Sequence, residues 1–135
     1  MPDDLFTGTW AMNAEAHKYE FGTPPTKGLY IIEAQDEGYL ITMQWTDAEG
    51  EDHEMTYTGV PDGAWYPVST RSGMTMSMYK EGEHVLISEA RMDDVQVAYA
   101  KRMIDERGQR MTIEQSGKTP DGKPFNNRSV YRRQG

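Results

Sequence analysis

The chain is predicted to be all-β, a single antiparallel up-and-down β-barrel of nine or ten strands. Turn signals recur at short, regular intervals: Asp36-Glu37-Gly38, Asp47-Ala48-Glu49-Gly50, Pro61-Asp62-Gly63, Glu81-Gly82, Glu106-Arg107-Gly108 and Thr119-Pro120-Asp121-Gly122. Each supplies Gly where a tight turn needs positive φ, or Pro where φ is already set. Between the turns, apolar and polar side chains alternate with a period of two, the signature of a half-buried strand. Apolar residues spaced by three and four, which a helix would need, are missing from these stretches.

The first strand, at about 7–13, holds Phe6-Thr7-Gly8-Thr9-Trp10, a Gly two positions ahead of a Trp. Gly permits close backbone approach, and Trp carries a large apolar body with one N–H to satisfy. Such a strand suits the plug of one barrel end. Residues 14–26 are expected to form a loop with at most a short helix at Ala14-Glu15-Ala16-His17-Lys18, stopped by Gly22 and Pro24-Pro25. Strands follow at about 27–34, 38–46, 51–59, 64–68, 73–80, 83–91, 94–104, 109–117 and 124–132. A long meander with one apolar face must hide its edges, and closure into a barrel does so.

At 135 residues the chain is one domain, 1–135, large enough to bury a sizeable core. Its 36% apolar content is that of a globular protein, and no run approaches the roughly 18 apolar residues of a membrane helix. No membrane partner is expected. A net charge of −8 repels phosphate backbones and argues against nucleic acid. Cysteine is absent, which excludes disulfides, thiolate chemistry and cysteine-ligated metals. Met1-Pro2-Asp3-Asp4 lacks the basic and apolar regions of a secretory leader, so a cytoplasmic location is expected.

Met43, Met55, Met74, Met76, Met78, Met103 and Met111 fall on the apolar parity of their strands. Methionine adapts to irregular apolar ligands, yet it also fills small cores. Tyr39, Trp45, Tyr57 and Tyr99 share those faces, with Val95 and Val97 preceding Tyr99 on its strand. Aromatics with a polar handle are common in ligand pockets, which tilts the reading towards a cavity lined by these residues.

His53 and His84 match the apolar parity and are candidates for a general base or a ligand-orienting hydrogen bond, with Tyr57 and Tyr99 as partners. For His53, three residues past Gly50, a solvated rim position is favoured; His17 reads as plain surface. Three dispersed histidines offer no metal-ligand spacing, so no metal is expected. Glu33, Glu54, Glu89, Asp93, Asp94 and Glu114 read as a solvated exterior, with Asp93-Asp94 in a turn. No phosphate loop, nucleophile elbow or Ser–His–Asp spacing is legible, and no cofactor is expected.

Among Arg71, Arg91, Arg102, Arg128, Arg132 and Arg133, an inward arginine would bind a carboxylate by its fork. Arg91 and Arg102 lie on the less apolar parity and are expected at the surface. Arg132 is the candidate for stacking on Trp10, with Arg133 behind it.

Gly8-x-Trp10 at the first strand, with Arg132 or Arg133 at the last, resembles the lipocalin-like (calycin) barrels. More finely, several stretches together resemble a family of small bacterial proteins of unknown function. They are Gly8-Thr9-Trp10-Ala11-Met12-Asn13, Tyr57, Asp62-Gly63-x-Trp65-Tyr66-Pro67-Val68, Gly117, Asp121-Gly122-Lys123-Pro124, Asn126-Asn127 and Val130-Tyr131. The likeness runs from 6 to 132, and the order of its short motifs carries it. It implies the barrel fold, gives structural roles to Gly8, Trp10 and Arg132, and implies exported relatives; it supplies no activity. The chain departs from that family at Ala11, at Ala16-His17-Lys18 and in the Met-rich stretch 74–78, which leaves open a ligand peculiar to this protein.

Three functions remain open. The first is a barrel binding a small apolar or aromatic molecule, its polar group met by His53, Tyr57 or Tyr99. The second is an isomerase, cyclase or hydratase using the same enclosure with a His/Tyr acid–base pair. The third is a filled barrel serving as a structural or interaction domain. An exposed outer stripe of Val85, Ile87 and Leu40 would indicate a homodimer.

Overall fold

A computed structural model describes residues 5–13, 18–20, 25–35, 37–68, 72–93, 95–119 and 121–134. The expected helical turn at 14–17, with His17, lies outside these residues, as do Arg71 and Asp94. The described chain is a curved antiparallel sheet forming a half-barrel. Its strands are β1 (Gly8–Met12), β2 (Lys18–Tyr19), β3 (Lys27–Ala34), β4 (Tyr39–Thr46), β5 (Asp52–Gly59) and β6 (Asp62–Pro67), then β7 (Met74–Lys80), β8 (Val85–Met92), β9 (Val95–Ile104), β10 (Arg110–Lys118) and β11 (Pro124–Gln134). Ten of these coincide closely with the alternating stretches; two-residue β2, which pairs with Asn127 and Arg128 of β11, was hidden in the expected loop.

The sheet order is β5-β4-β3-β1-β11-β10-β9-β8-β7-β6. The meander is thus joined end to end by β1 pairing β11, while β5 and β6, consecutive in the chain, form its two free edges. Full closure was the expectation; the structure keeps a seam instead. The residues at the seam suit unpaired edges. Pro67 of β6 has no N–H to give a ladder, and β6 shifts register against β7 between Asp62 and Trp65. On the other side β5 carries exposed Asp52 and Glu54, charges that discourage edge pairing.

The closed end is a core of Phe6, Trp10, Ile32, Tyr39, Ile41, Met78, Leu86, Ile104 and Met111. Trp10 is fully buried, and its indole N–H donates to the Phe6 carbonyl at 3.1 Å. Over its ring, at 4.3 Å, lies the guanidinium of Arg133, not that of Arg132. The correction follows from parity: Arg133 continues the inward series Phe125, Asn127, Ser129, Tyr131 and pairs with Trp10, whereas Arg132 pairs with Ala11 and points out. Arg133 also donates to the carbonyls of Gly108 at 2.6 Å, Thr7 at 2.7 Å and Leu5. Gly8, at φ 138°, makes room for this clamp, because a Cβ there would sit 2.5 Å from Nη1 of Arg133.

The outer stripe of Val85, Ile87 and Leu40 that would indicate a dimer is not exposed. Ile87 is only 1% accessible, and Val85 and Leu40 are half-buried. The exposed large apolar residues are Leu29, Met55, Tyr66, Val95 and Val97.

Arg133→Ala is expected to lower the stability measured by urea unfolding by about 2–4 kcal/mol, since it removes charged hydrogen bonds and a cation–π contact together. Arg132→Ala should stay within about 0.5 kcal/mol of the parent, as for an ordinary surface change.

Candidate functional site

Away from the closed end, the inward-facing side chains of β8 and β9 end in alanines, with the long Arg102 between the two regions. On β8 the series is Leu86, Ser88, Ala90; on β9 it is Ile104, Arg102, Ala100, Ala98. Large residues fill the barrel where it is packed, and small ones leave space beyond them. The result is a cavity of 740 Å³ walled by Met43, Met55, Tyr57, Met74, Met76, the alanines of β8 and β9, Ile113, Gln115, Phe125 and Asn127. A neighbouring chamber of 360 Å³ shares Tyr30, Met43, Met55, Ile113 and Gln115 with it and adds Tyr19, Leu29, Trp45, Ser129 and Tyr131.

At the base of the cavity, four strands meet at one cation. Arg102 of β9 is 2% accessible. Its Nε donates to the Tyr30 hydroxyl at 2.8 Å, Nη1 to Ser88 Oγ at 2.7 Å and Nη2 to the Tyr57 hydroxyl at 2.6 Å. The two phenol oxygens lie 3.3 Å apart. A guanidinium has five N–H donors, so one on each terminal nitrogen is left over. No carboxylate among the described residues forms an ion pair with Arg102. Burial opposes its charge, but the Tyr30 and Tyr57 oxygens offset this and hold the guanidinium's pKa above its ordinary value. Burial likewise drives the Tyr30 phenol up, with Arg102 pulling the other way.

In the side chamber, Tyr131 packs edge-on against Tyr30 at 5.6 Å, and burial pushes its phenol up to about 12. Tyr19 OH and Ser129 Oγ lie 3.3 Å apart, and Asn127 Oδ1 accepts from the Glu20 N–H at 2.9 Å. These contacts pin β2 across the chamber wall.

Of the residues expected to line a ligand site, Met43, Met55, Tyr57, Met74 and Met76 come together at the main cavity. Tyr39, Met78 and Met111 instead belong to the packed end. Trp45 borders the side chamber and stacks on His53, with ring centroids 5.3 Å apart. His53 is exposed and bonds Asp47 at 2.8 Å; His84 Nδ1 lies 3.1 Å from the Ile104 carbonyl at the opposite end. Neither histidine lines the cavity, because both sit next to turns. Asp47, Glu51 and His53 present ligand atoms within 4.8 Å of one another, an exposed grouping of a kind common without an ion.

Strand β9 reverses the expected parity. Tyr99 pairs with Glu89 and Ser116, so it faces outward and only edges the cavity, while Arg102 is buried rather than at the surface. The bulge between Ala90 and Arg91 displaces the register near Val97, leaving Val95 and Val97 exposed. Arg91 is a surface residue as expected, its guanidinium 4.1 Å from the Trp65 ring. Sequence reasoning therefore missed Arg102, Tyr30 and Ser88. The available signal was the pair Ala98 and Ala100 leading to Ile104, an inward series whose gaps mark empty space.

No family model matches the sequence, and no curated protein matches it. Solved structures do match. A variant of the fluorescent protein UnaG aligns with a TM-score of 0.62 at 17% identity, covering 97% of each chain. A secretary abundant heat soluble (SAHS) protein from Ramazzottius varieornatus gives 0.62 at 9%, covering 98% of each chain. Zebrafish ileal bile acid-binding protein complexed with cholic acid gives 0.60 at 10%, covering 96% of this chain and 99% of that one. These likenesses establish a calycin-type β-barrel fold; the finer resemblance to a bacterial family gains no family match.

Tyr131 holds its proton more tightly in the folded chain than the ordinary 10.0 of a free phenol. Its contribution to stability is therefore complete below about pH 10 and lost as pH rises through about 12. Phenolate absorbance should show fewer ionisations near pH 10 than tyrosine content predicts, with Tyr30 and Tyr131 both missing from that step. Urea unfolding of Tyr131→Phe should depend less steeply on pH across that window.

Proposed function

We propose that this protein binds a small, mostly apolar molecule bearing one acidic group, held inside the barrel with that group against Arg102. The observation that carries this reading is the buried guanidinium at the cavity base, with three neutral hydroxyl partners and no carboxylate among the described residues. A buried cation costs free energy unless a counter-charge meets it. A carboxylate presents two oxygens to a guanidinium fork, and the spare N–H on each terminal nitrogen suits it. The methionine and alanine wall would take the apolar body, and 740 Å³ is ample for a molecule of that kind. Cholic acid, bound by one structural neighbour, is an apolar carboxylate of this description.

The cavity's volume weighs against a filled structural barrel. The His/Tyr acid–base reading has less support, since Tyr57 is at the cavity and both histidines are outside it.

The test is displacement of anilinonaphthalene sulfonate by dodecanoate and by dodecanol. Dodecanoate should compete at least about tenfold better, the scale of one charge-assisted contact. Arg102→Met should abolish that difference while leaving the unfolding midpoint equal or higher, because it removes a buried charge. Tyr57→Phe should reduce the difference without abolishing it. Equal displacement by acid and alcohol in the parent protein would overturn the proposal.

A further inference from the structure

Four thioethers, Met43, Met55, Met74 and Met76, line the main cavity. With no cysteine in the chain, methionine supplies all the sulfur an oxidant can meet. Met55 stands apart from the others. It is 51% accessible and lies on the free edge strand β5; like Met43, it borders both the main cavity and the side chamber. Its cross-strand partner on the same face is Met43. By contrast Met78 and Met111, in the packed end, are 3% and 0% accessible.

We infer that Met55 is an oxidation site that governs how well the cavity holds an apolar ligand. The oxidant is a hydroperoxide. A sulfur lone pair attacks one peroxide oxygen, the S–O bond forms and the O–O bond breaks. Sulfur gives up two electrons, the transferred oxygen loses its proton to solvent, and the departing oxygen takes one up, leaving water (or an alcohol). A flexible apolar side chain thereby becomes a polar sulfoxide. Beside Met43, where the wall is apolar, an apolar ligand would have to strip water from that oxygen, so the oxidised cavity holds the ligand less well. The change is reversible by enzymatic sulfoxide reduction. The effect on affinity rests on the binding reading above; the selectivity of the modification does not.

The experiment uses the whole protein treated with graded hydrogen peroxide, followed by peptide mapping and anilinonaphthalene sulfonate titration. Met55 should be oxidised first, and Met78 and Met111 last. Protein oxidised at Met55 should bind the probe about tenfold more weakly with its circular dichroism unchanged. Met55→Leu, given the same dose, should keep whatever affinity it started with. Oxidation of Met78 or Met111 ahead of Met55, or undiminished probe affinity after Met55 is oxidised, overturns the inference. Equal loss in Met55→Leu overturns it too, by assigning the effect to another thioether. If dodecanoate and dodecanol compete equally before any oxidation, the acidic-ligand reading fails on its own, and the mapping order and probe affinity still decide this one.

Discussion

The pairing of the first strand with the last holds the whole sheet in its curve, and Arg133 secures that pairing. Its guanidinium covers the face of Trp10 while its N–H groups reach three carbonyls in two separate segments, those of Leu5 and Thr7 at the start of the chain and that of Gly108. One planar, permanently charged group can do this where lysine could not, because its donors are fixed in a fork. The same contact seals the packed end of the barrel. The cavity beyond it is defined by the small side chains that follow away from that seal.

Two arginines, both on inward positions, have opposite circumstances. Arg133 finds backbone carbonyls and an aromatic face, so its charge is well served by the protein itself. Arg102 finds two phenols and a serine, which solvate its charge without neutralising it. A protein selected only for stability would replace such a residue with an apolar one of similar size. Its position beside an empty volume, rather than within a filled one, connects the electrostatics to binding.

Much of this architecture was legible from alternation. The strands 27–34, 38–46 and 73–80 and the inward placing of Met43, Tyr57 and Met76 follow from period-two counting, and the burial of Trp10 from the Gly8-x-Trp10 pattern. Four features did not. A strand interrupted by a bulge changes parity: Ala98 and Ala100 continue the inward series to Arg102, while Val95 and Val97 are exposed and Tyr99 only edges the cavity, so hydrophobicity points the wrong way. The choice of Arg132 over Arg133 stopped one residue short of a series already in view. His84 follows the parity of its neighbours, but its turn carries it past the cavity, whereas His53 lies at the solvated position favoured for it. The seam between β5 and β6 was invisible because a chain-adjacent pair of strands ordinarily joins, and no periodicity reports that it does not.

That seam has a mechanical consequence. Every other neighbouring pair of strands is laced by backbone hydrogen bonds, whereas β5 and β6 are the sheet's two free ends. No ladder joins them, and a cleft lined by Thr56, Tyr66, Val68 and Met76 lies between them. The girth of the barrel is therefore fixed by backbone pairing everywhere except along this one line, where only the chain's own turn ties the two edges together.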